Sequence, residues 1–152
     1  MVLPGDVILY PVTPGSSFAS KLIAFGELLL GRGRGREEYS HVGIALDRGW
    51  QFESVWPRAR LSRIDERRPR EAWRMKGIGE RQRQEILWWC RRAIGRPYDL
   101  LYVLSFTLIR NRKEDVCSTF ARDAYRAAGL HLPAATPDDI AGSSMMYRLR
   151  GF

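Results

Sequence analysis

Cysteine and histidine are scarce in this 152-residue chain, with two of each, Cys90, Cys117, His41 and His131. Their scattered spacing excludes a closed zinc site of the common Cys/His type, and two cysteines cannot staple a small secreted scaffold. No metal or other cofactor is expected. Long apolar runs are also missing. The longest, residues 22–30 and 100–109, fall short of the about 20 residues that span a bilayer, and the first contains Glu27. The N-terminus lacks a basic segment followed by an apolar one, because Pro4-Gly5-Asp6 interrupts it. A soluble chain, cytoplasmic by default, is the expectation. Lysine occurs only at 21, 76 and 113, so all but three of the 25 basic residues are arginine.

A 45% hydrophobic fraction beside 28% charged residues is ordinary for a globular chain and excludes wholesale disorder. The length suits one domain, residues 1–152. The net charge of +8 favours anionic neighbours: phospholipid headgroups, cell-wall polymers or nucleic acid. Zinc-finger spacing, an RNA-recognition aromatic motif and a sustained basic helix are all absent, which argues against nucleic acid.

The order of patterns predicts an α+β fold, a small antiparallel sheet packed against helices. Pro4-Gly5-Asp6 reads as a turn into an apolar strand, residues 7–10. Ser16 or Ser17 can cap a helix to about Leu30. Residues 31–35 alternate glycine with arginine, the pattern of a mobile loop and a candidate lid. Residues 41–46 and 50–56, divided by Asp47-Arg48-Gly49, read as a hairpin. Residues 59–64 and 71–75 add short strands on either side of a charged turn, 65–70. Helical periodicity covers 80–93, ended by Gly95 and Pro97. Residues 100–109 read as a buried helix and 116–128 as another, stopped by Gly129. One helical turn at 138–142 and a last strand at 146–149 complete the chain.

Cys117 stands where the helix read over 116–128 begins. The positive end of a helix dipole and its unspent N–H groups favour thiolate over thiol, and thiolate is the nucleophile. Cys90 lies on an apolar helix face and reads as a core residue. His41 opens a hairpin strand, and imidazole suits a general base because it titrates near neutrality. His131 falls in a loop. Glu53 is the acceptor expected to orient the imidazole. If the hairpin turns about Asp47, His41 and Glu53 lie directly opposite on one sheet face; a two-residue turn at Arg48-Gly49 would offset them by three positions.

Several segments resemble the NlpC-type papain-like cysteine peptidases: Gly95-Arg96-Pro97-Tyr98, then Cys117-Ser118 with a helix ending at Ala127-Ala128-Gly129, then Leu132-Pro133. Pro4-Gly5-Asp6-Val7-Ile8-Leu9-Tyr10 and Ser40-His41-Val42-Gly43-Ile44-Ala45-Leu46 are similar to that family's strand and histidine motifs, and Glu53 falls where its third polar residue does. Here His41 and Glu53 precede Cys117. That order resembles the circularly permuted branch, the YaeF/YiiX-like proteins, kin to the lecithin:retinol acyltransferase-like enzymes.

The resemblance implies a papain-like fold in which Cys117 attacks a carbonyl carbon, His41 moves protons and Glu53 fixes the ring. It further implies that the Cys117 backbone N–H and one further donor hold the oxyanion, and that Tyr98 matches the motif tyrosine and borders the substrate. Tyr98 reads equally well as a core tyrosine beside Pro97. Two departures, Asp99-Leu100-Leu101 after that tyrosine and Val116 before the cysteine, leave the substrate open. A thiol hydrolase of amide or peptide bonds, for example in cell-wall peptides, is the first expectation. An acyltransferase or lipid ester hydrolase, suggested by the apolar residues 100–109 and the cationic balance, is the second. A non-catalytic basic binding module is the third.

Overall fold

The structure, a computed structural model, describes residues 1–12, 39–98, 117–132 and 136–151. The expected helix at 16–30, the lid candidate at 31–35 and the apolar segment 100–109 lie outside the described residues.

Six antiparallel strands form one sheet: β1 (Val7–Pro11), β2 (Tyr39–Ala45), β3 (Trp50–Glu53), β4 (Arg60–Arg63), β5 (Glu71–Met75) and β6 (Met146–Arg148), in the order β4-β3-β2-β1-β5-β6. The helices among the described residues are α1 (Glu80–Ala93), α2 (Cys117–Ala127) and the short α3 (Pro137–Ala141). The fold is therefore α+β, as the pattern of strands followed by helices predicts. Among the described residues no helix is long and apolar enough to cross a membrane.

Why β1 lacks polar alternation is plain from its neighbours: both faces of the strand are covered. Val7 and Leu9 join the main core with Val42, Ile44 and Phe52, against which the helices pack. Ile8 and Tyr10 point the other way, into a smaller cluster with Ala45, Ile64 and Ala72. Helix α1 buries Ile86, Leu87, Cys90 and Ala93, one stripe at helical spacing. Helix α2 answers with Phe120, Ala121, Ala124 and Tyr125, and Trp89 meets Phe120 edge to face with centroids 5.2 Å apart.

The Pro4-Gly5-Asp6 turn does more than enter a strand. Asp6 is only 1% exposed. Its carboxylate accepts from Arg83 Nη1 at 3.0 Å, from Arg74 Nη2 at 2.7 Å and from the Leu3 N–H at 2.8 Å. Arg83 also donates to the Pro4 carbonyl at 2.8 Å, and the Tyr125 hydroxyl to the Gly5 carbonyl at 2.7 Å. One turn thereby ties β1 to β5, α1 and α2.

The charged segment 65–70 is not a hairpin turn. Strands β4 and β5 sit on opposite sides of β1–β3, so this stretch carries the chain across the sheet on the face away from the helices. Arg68 lies over the Tyr10 ring there, 4.7 Å from its centroid.

Candidate active site

The β2–β3 hairpin carries two of the anticipated residues. Its loop is the single 3-10 turn Asp47–Gly49, with Arg48 at φ 55° and Gly49 at φ 75°. Two successive left-handed residues make glycine the natural occupant of the second position. The resulting register pairs Gly43 with Glu53. His41 is therefore neither opposite Glu53 nor three positions away, the two arrangements considered from sequence. It is offset by two, on the same face, a diagonal of about 7–8 Å between neighbouring strands. A glutamate side chain spans that diagonal: Oε2 of Glu53 lies 2.9 Å from Nε2 of His41.

Cys117 reaches the same imidazole from the other layer. Strand β3 ends at Glu53, opposite Gly43, so the residues of β2 before Gly43 have no ladder partner on that side. Residue 117 opens α2 against this gap. Its sulfur takes hydrogen bonds from the His41 side chain and from the backbone N–H groups of Val42 and Ser118. Since Glu53 occupies Nε2, the nitrogen that faces the sulfur is Nδ1, and an imidazolium donates from both.

Burial is the largest single influence on Cys117 and would raise its pKa. The hydrogen bond and charge of His41, with the two backbone donors, outweigh it and hold the thiol below its ordinary 9.0. Burial would likewise lower His41. Hydrogen bonds and charge attraction from Cys117 and Glu53 overcome it and lift the imidazole from 6.5 to about 9. For Glu53 burial again opposes the net change; His41 first, then Ser62 and Arg60, bring the carboxyl down from 4.5 to about 2. All three shifts favour the ionised forms: thiolate at Cys117, imidazolium at His41 and carboxylate at Glu53.

Tyr98 is brought within electrostatic range of the sulfur by a short pairing of backbones. Its N–H donates to the Pro57 carbonyl at 2.9 Å, Arg58 bridges Pro97, and the Ala59 N–H donates to Arg96. Its phenol is pushed up by burial and then by the Cys117 charge, so the two groups are electrostatic neighbours. Cys90 is fully buried in the main core, and burial pushes its thiol well up. His131 is an exposed loop residue. Among the described residues no group of three or more His, Cys, Asp or Glu is placed to hold a metal ion.

Four residues at the site were not anticipated from the sequence. Arg60 donates from Nε to the other Glu53 oxygen at 3.0 Å. Gln51 donates to Glu53 Oε2 at 3.4 Å and to Ser62 at 3.4 Å, and its amide oxygen accepts from the Tyr10 hydroxyl at 2.9 Å. The sequence does hold a signal: Gln51 and Glu53 alternate across Phe52, placing two polar groups on one face of a buried strand.

These shifts give folding stability a defined pH dependence. Glu53 titrates at about 2 folded against 4.5 unfolded, so its contribution is complete above 4.5 and is lost as pH falls toward 2. For His41, at about 9 against 6.5, the contribution is complete below 6.5 and disappears as pH rises through 9. In urea unfolding measured from pH 5 to 2, Glu53→Gln is expected to show a shallower loss of midpoint than the wild type. An equal slope in the two proteins would contradict the Glu53 assignment.

No family model matches the chain, and no curated protein matches it.

Proposed function

We propose that this chain is a thiol hydrolase of amide or peptide bonds, a circularly permuted relative of the NlpC-type papain-like peptidases. The observation that carries the reading is the unbroken line of hydrogen bonds from Cys117 through His41 to Glu53. Three side chains drawn from two strands and a helix start meet in the order nucleophile, base and orienting carboxylate, the arrangement that activates a thiol.

In the reaction this supports, the Cys117 thiolate attacks the amide carbonyl carbon. The oxyanion forms beside the Cys117 N–H, toward the positive end of the α2 dipole. The tetrahedral species collapses with cleavage of the C–N bond, and the imidazolium of His41 gives its proton to the departing amine. A thioester remains. His41, now neutral, takes a proton from water, whose oxygen attacks the thioester; the acid leaves and the thiolate–imidazolium pair is restored. Glu53 stays ionised throughout and holds the ring. Tyr98, within electrostatic range of the sulfur, borders the acyl group.

The same thioester would serve acyl transfer or lipid ester hydrolysis, with a different acceptor and pocket. Of the two features that suggested it, residues 100–109 lie outside the described residues and the cationic balance does not choose a substrate, so amide hydrolysis is the simpler reading. Incubation with labelled muropeptides, representing cell-wall peptides, and with phospholipid vesicles tests both. Cleaved peptide that disappears in Cys117→Ala is the expected result. Released fatty acid with intact peptide would move the assignment to lipid chemistry. Binding without product in either assay would leave a basic binding module.

A further inference from the structure

Beyond the three reacting groups, one buried side chain has a geometry that a purely structural glutamine does not need. Gln51 is 3% exposed. Its amide is held at both ends: the Tyr10 hydroxyl donates to Oε1 at 2.9 Å, and Nε2 donates to Glu53 Oε2 at 3.4 Å and Ser62 Oγ at 3.4 Å. A carboxylate can only accept, so the NH2 must face Glu53 and the amide oxygen must face Tyr10. Space for this arrangement comes from β2. A Cβ on Gly43 would stand 2.4 Å from Gln51 Oε1 and 3.0 Å from its Cδ, so any larger residue there displaces the amide.

We infer that Gln51 is a positioning residue: Tyr10 fixes its amide, Gly43 makes room for it, and it holds Glu53 Oε2 toward His41. The inference rests on the proposed roles of Cys117, His41 and Glu53 and adds what keeps the carboxylate aimed. The need for such a device comes from Arg60. Its Nε already binds Glu53 Oε1, and a guanidinium can take both oxygens of a carboxylate in a fork. With Gln51 gone, Glu53 is free to turn its second oxygen to Arg60 and leave the imidazole. Among the described residues the charged and titratable groups facing His41 are Cys117 from α2, Glu53 from β3 and Tyr10 from β1, with ring centroids of Tyr10 and His41 5.6 Å apart. Arg60 of β4 acts through Glu53, and Arg68 lies on the Tyr10 ring.

The chain holds two histidines, so ring NMR titration, with His131→Gln for assignment, reads His41 directly. Gln51→Met keeps the side-chain length and removes all three hydrogen bonds. It is expected to lower the His41 midpoint by about one unit, a tenfold loss of proton affinity. Tyr10→Phe, which deletes a single oxygen atom, is expected to shift it the same way by less. Gly43→Ala is expected to match Gln51→Met, and to add nothing in a Gln51→Ala background, where the obstructed amide is gone. An unchanged or raised midpoint in folded Gln51→Met overturns the inference. Should that variant fail to fold, an unchanged midpoint in Tyr10→Phe does so instead. In both cases the active-site reading survives if wild-type His41 still titrates far above 6.5. A wild-type His41 midpoint near 6.5 brings down both.

Discussion

Iodoacetamide at pH 6 is expected to alkylate Cys117 about tenfold faster than an ordinary free thiol, and to leave Cys90 unmodified. A thiol of pKa about 8.5 is roughly 0.3% ionised at that pH, whereas the His41 side chain and two backbone N–H groups raise the thiolate fraction of Cys117. The gain in ionised fraction is partly offset because a less basic thiolate is a weaker nucleophile, with a Brønsted coefficient of about 0.4–0.5. Cys117 is 5% exposed, so the small amide reagent is the suitable probe and a bulky maleimide should react more slowly. Cys90 has no exposure at all and its thiol is pushed up by burial. Intact-mass spectra over a time course should show one adduct, absent in Cys117→Ala. His41→Gln should return the rate to that of a free thiol or below, because burial then raises the Cys117 pKa without an opposing charge. In peptide turnover, Cys117→Ala should lower kcat by about a thousandfold or more, the scale on which nucleophile loss acts in other covalent hydrolases. A His41→Gln protein alkylated at pH 6 as fast as the wild type would remove the basis for the proposed chemistry.

The second large effect falls far from the sulfur. Asp6→Ala is expected to destabilise the fold by about 3–5 kcal/mol, the cost of removing one partner from a buried ion pair. Typical domains are stable by only about 5–15 kcal/mol, so this loss approaches unfolding. The reason is asymmetric: deletion of the carboxylate strands the Arg83 guanidinium, whose side chain is 7% exposed, while Arg74 at 18% retains some access to water. Arg83→Ala should therefore cost more than Arg74→Ala, as read from urea midpoints at pH 7. Equal, small losses in all three variants would show the cluster to be dispensable.

The sequence was informative where local patterning and the final structure agree. Helix α1 falls at 80–93 as its periodicity predicts, because its stripe of Ile86, Leu87, Cys90 and Ala93 enters the main core beside α2. The Asp47–Gly49 turn marks the hairpin that bears His41 and Glu53, and the opening of α2 places Cys117. Register was less legible. It depends on the backbone angles of Arg48 and Gly49, and a shift of one residue in the turn decides whether two side chains face each other. The segment 65–70 reads from sequence only as a charged turn between two short strands. Its true path over the sheet depends on β5 pairing with β1, a contact between parts of the chain far apart in sequence. The supporting shell of Tyr10, Gln51, Arg60 and Ser62 was hidden for the same reason. Each of these is unremarkable in its own segment, and only the sheet makes them neighbours.

His41 and Glu53 are twelve residues apart on one hairpin, while the sulfur arrives on a helix that begins at residue 117. During synthesis the imidazole and carboxylate therefore emerge from the ribosome well before the sulfur. A nascent chain can pair His41 with Glu53 by short-range closure, and on the proposed reading it gains its nucleophile only when the late helix docks at the place β3 leaves open.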